Sequence, residues 1–295
     1  MSGLASAPLD PGRLLSGVGV EQFFADYWQR RAVTLQLAAE DFARLRDEIG
    51  PLDIVRFAQT AREGTRAWIA NDYVAHSVVP VDASNASQFF EIGATLYFLN
   101  VPLPRLTDAF ADFLGAPREK VIASLFLTPA NGGASPHFDK NENFTVQLSG
   151  AKRWKVGETP VVSAPADGYI YGQKIPESLI GLLPKEEPPR RQVELRPGTL
   201  LYVPRGTVHA TEAGEISWSL NLSYSPSMWL DLVRIALRRR LGRSERWRGS
   251  VTGIGGGPAM RGNILAELTG ELRDLLSDPQ ELDALARDFL NRPYD

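Results

Sequence analysis

The sequence predicts a mainly β protein with helical flanks, because three stretches of different texture follow one another along its 295 residues. Apolar residues recur at helical spacing in the first third of the chain and again near its end. Between them, short alternating runs are separated by Gly, Pro and Asn, a pattern typical of strands and turns. We therefore divide the chain into a loose lead-in (1–18), a helical flank with some strands (19–118), a β core (119–226) and a helical region (227–295).

The helical flank opens with an amphipathic helix whose apolar face is formed by Val20, Phe23, Phe24, Tyr27 and Trp28. A short strand is expected at 32–35, and further helices at 38–49, from Pro51 onward, and at 103–114, where Gly115 ends the helix. Residues 64–95 mix short apolar runs with turn residues and carry no clear pattern. They include His76, which we expect at the surface or behind the ligands of a site.

The β core is expected to begin with a strand at 121–129 and a turn at 131–133. Polar and apolar residues alternate at 143–148, which predicts a strand. After a turn at 149–151, the segment 152–156 is expected to pair back on this strand as a hairpin. Residues 158–191 form a long Pro-rich excursion, and loops of this length inside a compact domain tend to act as lids or binding loops. Strands at 200–203 and 216–223 complete the core.

The helical region is expected to contain a helix at 228–241, a glycine-rich linker at 249–258 and two leucine-striped helices after it. Arg238, Arg239 and Arg240 lie in the last turn of the first of these helices, where they suit the negative end of the helix dipole. A solvated helix end is the favoured interpretation of these arginines over contact with RNA or a ribosome. The leucine-striped helices are expected to pack on the core or to form a homodimer.

Composition narrows the classes of function. The formal net charge of -3 predicts no general attraction to nucleic acid or to anionic membranes. Neither a run of 18 or more apolar residues nor a basic segment followed by an apolar core is present, so we expect a cytoplasmic protein without a membrane span. Because cysteine is absent, any metal must be held by histidine and oxygen ligands.

Two of the three histidines lie in motifs that could bind a metal. His137 and Asp139 are two residues apart, so on an extended strand both side chains point to the same face. His209 follows a Pro-Arg-Gly turn on a later strand. Two histidines and one carboxylate leave open coordination positions, which suits non-haem Fe(II) and O2 chemistry. A His-x-Asp tripeptide alone is a weak signal, because most such tripeptides are polar surface residues.

The strand at 152–156 places Lys152 on the same face as Trp154 and Val156. If that face points inward, Lys152 is a buried ammonium that needs an anionic partner, and a cosubstrate carboxylate is a natural one. Asn143, Thr145 and Gln147 form the polar face of the preceding strand. That face lines either a wet binding cavity or the solvent-exposed side of a sheet, and the sequence leaves both interpretations open.

These motifs resemble a known family. The segment from His137 to Trp154 (HFDKNENFTVQLSGAKRW) and the segment from Leu201 to His209 (LYVPRGTVH) resemble the JmjC and cupin-like Fe(II)/2-oxoglutarate oxygenases. Their pattern is similar to the asparaginyl hydroxylase that acts on hypoxia-inducible factor. The segment from Phe23 to Ala32 (FFADYWQRRA) resembles the N-terminal entry of the ribosomal oxygenases of this group. The resemblance covers residues 20–226.

The resemblance implies a double-stranded β-helix, the jelly roll of cupins and JmjC domains. It further implies that His137, Asp139 and His209 are catalytic and bind Fe(II), that Lys152 binds the far carboxylate of 2-oxoglutarate, and that Thr128 and Asn143 lie beside the cosubstrate and the metal. One departure is Ala134, where the asparaginyl hydroxylase carries a hydroxyl residue that contacts the cosubstrate. Because Asp139 is present, hydroxylation is favoured over halogenation.

The activity implied is a dioxygenase that hydroxylates a C–H bond of a peptide, a protein side chain or a small molecule and releases succinate and CO2. Two alternatives differ from it. One is a metal-dependent cupin enzyme, an isomerase or a dioxygenase, that does not use 2-oxoglutarate. The other is a non-catalytic binding protein that retains the fold. Loss of 2-oxoglutarate affinity on substitution of Lys152 would be expected only for the oxygenase.

Overall fold

The computed structural model describes residues 9–71, 74–186, 188–250, 258–281, 283–284 and 287. The chain divides into two compact units, residues 1–226 and 227–295, and each is described by itself. The finer four-part division made from the sequence stays a prediction.

The first unit is built on two antiparallel sheets. Its strands are β1 (Val33–Gln36), β2 (Thr65–Asn71), β3 (Val74–Val81), β4 (Thr95–Phe98), β5 (Val121–Thr128), β6 (Gly133–Phe138), β7 (Glu142–Ser149), β8 (Lys152–Gly157), β9 (Tyr169–Ile170), β10 (Arg190–Leu195), β11 (Thr199–Val203), β12 (His209–Ala213) and β13 (Ser217–Tyr224). The larger sheet has the order β1-β11-β7-β13-β5-β4-β2-β3, and the smaller sheet has the order β10-β8-β12-β6-β9. The chain crosses repeatedly from one sheet to the other, so the two sheets form the expected double-stranded β-helix.

Helices flank the larger sheet on one side. They are α1 (Pro11–Leu14), α2 (Val20–Gln22, continued by a π-helical turn at Phe23–Tyr27), α3 (Ala39–Ile49), α4 (Ile54–Thr60), α5 (Ala86–Glu91) and α6 (Pro104–Leu114). Phe23, Leu45 and Phe110 of these helices share one apolar core with the larger sheet. The predicted helical flank is therefore present, and burial of its apolar stripes against the sheet holds it in place.

The larger sheet is apolar outside and polar inside, and β7 shows how the sequence encodes this difference. Phe144, Val146 and Leu148 belong to the core shared with the helices. Asn143, Thr145 and Gln147 alternate with them and are buried as well. A buried polar face is stable only when its groups find hydrogen-bond partners. Burial of this face excludes the solvent-exposed interpretation and leaves the cavity interpretation.

The end of the predicted lead-in is more ordered than the sequence suggested. Asp10 caps α1, since its side chain accepts a hydrogen bond of 2.9 Å from the Gly12 amide. Leu14 and Leu15 are buried in the core. Gly, Ser and Pro near a terminus favour a loose segment, but two consecutive leucines at the end of a capped turn overcome that tendency by burying apolar surface.

The prediction that 152–156 pairs with 143–148 as a hairpin is wrong. The segment 152–156 forms β8, but it pairs with β10 and β12 in the smaller sheet and not with β7. The turn after β7 carries the chain across to the second sheet, with Gly150 in a left-handed conformation of φ 62° against the backbone of Ile216. Alternation of side chains fixes which residues share a face of the strand, but it does not identify the neighbouring strand.

Residues 64–95, which the sequence left unassigned, extend the larger sheet. β2 pairs with β3 as a hairpin and with β4 on its other edge, and β4 in turn pairs with β5. The side chain of His76 lies outside the described part of the chain. The flank therefore contributes several strands to the same sheet that carries the β core.

The second unit contains α7 (Trp229–Leu241), α8 (Glu245–Arg248) and α9 (Pro258–Ser277) in its described residues. Arg240 is ion-paired with Glu281, and Arg246 is ion-paired with Glu267 and Glu271. These pairs neutralise part of the arginine-rich stretch and favour a structural role over contact with RNA. Most of the glycine-rich linker and of the second leucine-striped helix lies outside the described residues, and the homodimer stays a prediction. In the part of the chain that the structure describes, no helix is both long and apolar enough to cross a membrane.

Candidate active site

His137, Asp139 and His209 come together where β6 and β12 pair. His137 and His209 are direct cross-strand partners, and their ring centroids lie 4.2 Å apart. Asp139 follows the end of β6, and its Oδ2 lies 3.6 Å from His209 Nε2. One ligand atom from each of the three residues lies within 4.8 Å of the other two. This arrangement fits a single divalent ion held on one side by two imidazoles and a carboxylate.

Backbone carbonyl groups fix the orientation of both imidazoles. His137 Nδ1 lies 2.6 Å from the carbonyl oxygen of Ser135, and His209 Nδ1 lies 3.0 Å from that of Thr207. A carbonyl oxygen only accepts, so Nδ1 is the donor in each ring and Nε2 is the nitrogen that remains for a metal. Burial, and then the neighbouring His137, lowers the pKa of His209 to about 4. His209 is therefore neutral at physiological pH, as metal ligation requires.

Asn143 holds the carboxylate. Its Nδ2 donates to Asp139 Oδ2 at 2.7 Å. Its own Oδ1 accepts from Asn221 Nδ2 at 2.9 Å and from the Ser223 hydroxyl at 2.8 Å. Because both hydrogen-bonding ends of the amide are engaged, the side chain has one favourable orientation, with its NH2 group toward Asp139. The inward polar face of β7 thus continues into a network on β13.

The turn before His209 is fastened to the aspartate loop. The amide of Gly206 donates to the carbonyl oxygen of Asp139 at 2.8 Å. Arg205 Nε lies 3.3 Å from Oε1 of the fully buried Glu142, and the Tyr202 hydroxyl donates to the other oxygen of Glu142 at 2.6 Å. Burial raises the pKa of Glu142, while these partners oppose the rise. The two motifs that carry the candidate metal ligands are therefore joined by backbone and side-chain contacts.

Lys152 points into the same cavity from β8. Its side chain is 3% exposed, and its Nζ donates to the Ser219 hydroxyl at 3.3 Å. Among the residues that the structure describes, Lys152 has no carboxylate partner. Burial lowers its pKa to about 7. A buried ammonium without a counter-ion is strongly unfavourable, so this position suits an anion supplied by a ligand.

Two threonines, Thr128 and Thr211, line the same cavity as Lys152. Thr128 is fully buried on β5, and its hydroxyl has no hydrogen-bond partner in the described chain. Thr211 on β12 is the cross-strand partner of Ala134, and its hydroxyl accepts from the Ala134 amide at 3.0 Å. The hydroxyl that the sequence lacks at Ala134 is therefore available from the adjacent strand. Thr128, Thr211 and Lys152 can all donate to a carboxylate.

All six sequence-predicted site residues line one cavity of about 500 Å³. They are His137, Asp139, His209, Lys152, Thr128 and Asn143. Aromatic rings wall this cavity beside the imidazoles. Trp154 stacks on His209 with ring centroids 5.5 Å apart, and Trp68 lies 5.3 Å from His137. Such walls restrict water around the imidazoles and lower the local dielectric constant.

Several residues of the cavity were not among the predicted site residues. Tyr97 lies on β4, and burial together with the charge of Asp139 raises the pKa of its hydroxyl. Tyr97 and Trp68 fall in or next to the stretch that carried no clear pattern. Ser219 and Asn221 could have been found, because the alternation at 216–223 has a polar face like that of β7.

Comparison with known proteins agrees with this geometry. Residues 98–232 match the family model of the JmjC domain, and this match includes all of the predicted site residues. Residues 98–232 are thus similar to a JmjC domain. The resemblance to this family that the sequence predicted is therefore confirmed over these residues.

Curated relatives extend the similarity beyond the JmjC domain. The chain is 32% identical to the uncharacterised protein YxbC of Bacillus subtilis over 187 residues. This alignment covers 57% of this chain and 55% of YxbC. The chain is 28% identical to the bifunctional lysine-specific demethylase and histidyl-hydroxylase NO66 of Drosophila erecta, over 80% of this chain and 37% of the relative. It is 27% identical to ribosomal oxygenase 2 of Rattus norvegicus, over 75% of this chain and 48% of the relative. The chain spans about half the length of these relatives or less.

Solved structures show the same fold around the JmjC domain. The ribosomal oxygenase YcfD of Escherichia coli, solved in complex with cobalt and 2-oxoglutarate, has a TM-score of 0.55 and 20% sequence identity. The match covers 91% of this chain and 70% of YcfD. At this identity the likeness establishes the architecture, and the chemistry has to be argued from the residues of this chain.

Proposed function

We propose that this protein is an Fe(II)- and 2-oxoglutarate-dependent oxygenase that hydroxylates a C–H bond. The observation that carries the proposal is the buried Lys152, which lacks a carboxylate partner in the described chain and lines the same cavity as His137, Asp139 and His209. A metal site alone is compatible with many cupin enzymes. A metal site that shares its cavity with a buried cation calls for a ligand that both chelates the metal and carries a distant negative charge.

The residues present fit both groups. His137, Asp139 and His209 would hold Fe(II), because two imidazoles and a carboxylate are a donor set that this ion accepts with positions left open. Lys152 would pair with the far carboxylate of 2-oxoglutarate, with hydroxyl donors from Thr128 and Thr211 beside it. When bound, Fe(II) and the oxo acid supply the activation of O2 toward a C–H bond. The balanced reaction converts substrate C–H, 2-oxoglutarate and O2 into substrate C–OH, succinate and CO2.

Other residues of the chain would prepare the site for this reaction. Asn143 keeps the Asp139 carboxylate in place, and the carbonyl groups of Ser135 and Thr207 keep the imidazoles directed toward the metal. Trp68 and Trp154 restrict water at the reacting centre. We propose a peptide or protein side chain as the substrate, supported by the names of the relatives, which describe a histidyl-hydroxylase and ribosomal oxygenases.

Succinate formation tests the proposed activity. Purified protein with Fe(II), 2-oxoglutarate and O2 is expected to form succinate, and Asp139→Ala is expected to abolish this because the variant loses the anionic metal ligand. Lys152→Ala is expected to raise the concentration of 2-oxoglutarate needed for half-maximal rate by more than about tenfold, the order of a lost hydrogen-bonded charge contact. Lys155→Ala, an exposed lysine on the same strand, is the matched control.

The outcomes separate the alternatives that the sequence left open. Metal-dependent chemistry that proceeds without 2-oxoglutarate and is insensitive to Lys152→Ala would support a cupin enzyme of another kind. Absence of Fe(II)-dependent succinate formation with a broad panel of peptides, proteins and amino acids would contradict the proposal. Mass spectrometry of the panel, with a gain of one oxygen atom as the signal, identifies the hydroxylated molecule.

A further inference from the structure

Two cations at the cavity mouth have no counter-charge. Arg66 on β2 and Lys174, which follows β9, both line the cavity and are exposed. Neither has an ion-pair or hydrogen-bond partner for its side chain in the described chain. Other arginines of this unit do have partners, for example Arg118 with Asp108 and Arg153 with Glu212. The mouth therefore carries two unpaired positive charges.

The cavity offers little negative charge to balance them. Asp139 is the one acidic residue among the described residues that line it, and Asp139 belongs to the metal site. Arg66 is the direct cross-strand partner of Tyr97, and two residues along β2 on the same face lies Trp68. One cation thus lies beside the aromatic wall, and the other lies on the 158–191 excursion.

These cations are separate from the anchor proposed for the cosubstrate. Lys152 is deeply buried, whereas Arg66 and Lys174 are exposed. A molecule whose far carboxylate reaches Lys152 is already neutralised there. The charges at the mouth remain available for the second molecule that enters, which is the substrate.

We propose that the substrate carries a carboxylate next to its target atom and that Arg66 and Lys174 select for it. This inference rests on the proposed function, since it concerns the molecule that enters the same cavity. The carboxylate belongs either to an acidic side chain beside the target residue of a peptide or to a free organic acid. Basic flanking residues are selected against, because they would meet two like charges and, among the described residues that line the cavity, no carboxylate other than Asp139.

Matched ligand sets test the selectivity. Three peptide pools have a randomised central residue and differ only in having Glu, Gln or Lys on either side of it. Each pool is incubated with the full-length protein, Fe(II) and 2-oxoglutarate under anaerobic conditions. Retained peptides are counted by mass spectrometry, and a parallel arm uses small carboxylic acids and their primary amides. Admission of O2 then reports hydroxylation as a gain of one oxygen atom.

Acidic ligands are expected to be retained over neutral ones and neutral over basic ones in at least one arm. Arg66→Gln and Lys174→Gln are each expected to weaken the preference by about two- to fivefold, as for exposed ion pairs, and the preference falls as the salt concentration rises. The double variant Arg66→Glu, Lys174→Glu is expected to reverse it. Arg62→Gln and Lys185→Gln remove exposed charges that do not line the cavity and serve as controls.

Equal retention of acidic, neutral and basic ligands in both arms would overturn the inference, as would a preference for basic ones. It is also overturned if Arg66→Gln and Lys174→Gln weaken 2-oxoglutarate binding instead of ligand selection. Consumption of 2-oxoglutarate without any ligand is followed in the same samples. If that consumption is present and charge selectivity is absent, only this inference fails; if consumption is absent with every ligand, the proposed function fails.

Discussion

The environment of Lys152 favours ligand binding over stability of the free protein. Its ammonium is buried with one hydroxyl partner, Ser219, at 3.3 Å, and burial lowers its pKa to about 7 from the ordinary 10.5. At a pH between these two pKa values, Lys152 binds a proton in the unfolded chain but not in the folded chain. Stability is therefore lost as the pH falls from the upper value to the lower one, and the penalty is complete below about pH 7.

Lys152→Met is accordingly expected to stabilise the ligand-free protein by about 1–3 kcal/mol while removing stabilisation by 2-oxoglutarate. The gain is expected to be larger at about pH 6 than at about pH 9, because the charged form of the buried lysine is the unfavourable one. Urea unfolding at both pH values measures it, with the exposed Lys155→Met as the control. A variant that is less stable than the wild-type protein at the lower pH would contradict this account.

Asn143 is expected to tune metal affinity without being a ligand. Asn143→Leu removes the 2.7 Å hydrogen bond that holds Asp139, and loss of such a partner weakens metal binding by about 10- to 100-fold. Isothermal titration calorimetry with Co²⁺ measures the metal affinity independently of turnover. Gln147→Leu, on the same face of β7 but away from Asp139, is the matched control. Equal metal affinity of the two variants would show that the network does not position the carboxylate.

At the scale of elements, the turn between β11 and β12 positions His209 through backbone geometry. Gly206 has a φ of 79°, and a Cβ at this residue would overlap the carbonyl oxygen of Val162. Its amide donates to Asp139, and its carbonyl oxygen accepts from the Val161 amide at 2.8 Å. The turn is thus held between the Asp139 loop and the start of the 158–191 excursion.

Gly206→Ala is expected to destabilise the protein by about 2–4 kcal/mol, because both the left-handed backbone and the close approach exclude a side chain. Chemical unfolding of the variant measures the loss. Gly214→Ala is the control, since a Cβ there meets nothing within 4 Å. If both substitutions have the same small effect, the turn is less constrained than its geometry indicates.

The same elements show what the sequence could predict. Alternation on β7 and β8 predicted which side chains share a face with Asn143 and with Lys152, because side chains on a strand alternate with a two-residue period. That both of these faces are buried is seen only in the structure. Alternation failed for the pairing of β8, because partners across two sheets depend on the path of the chain and not on local pattern. Arg66 and Tyr97 were not predicted for a related reason. They reach the cavity on β2 and β4, which join the larger sheet by pairing with strands that a local pattern does not identify.

At the scale of the whole chain, the first unit brings two distant motifs into one cavity by pairing β6 with β12. The residue pattern of the sequence predicted the candidate metal ligands and Lys152. The family resemblance predicted the architecture that brings them together. The helices on the outer face of the larger sheet take its apolar side chains, so its inner face is free to carry polar groups. Arg66 and Lys174, which we propose to face the substrate, come to line one cavity only in the folded chain.

Anaerobic titration of 2-oxoglutarate into the Fe(II)-loaded, full-length protein tests the central claim most directly. We expect saturable binding with one molecule per chain, accompanied by the visible absorption of an Fe(II)–oxo-acid chelate. Asp139→Ala is expected to lose that absorption, Lys152→Ala to weaken binding by more than about tenfold, and Lys155→Ala to bind as the wild-type protein does. Absence of Fe(II)-dependent binding, or binding that Lys152→Ala leaves unchanged, would contradict the account.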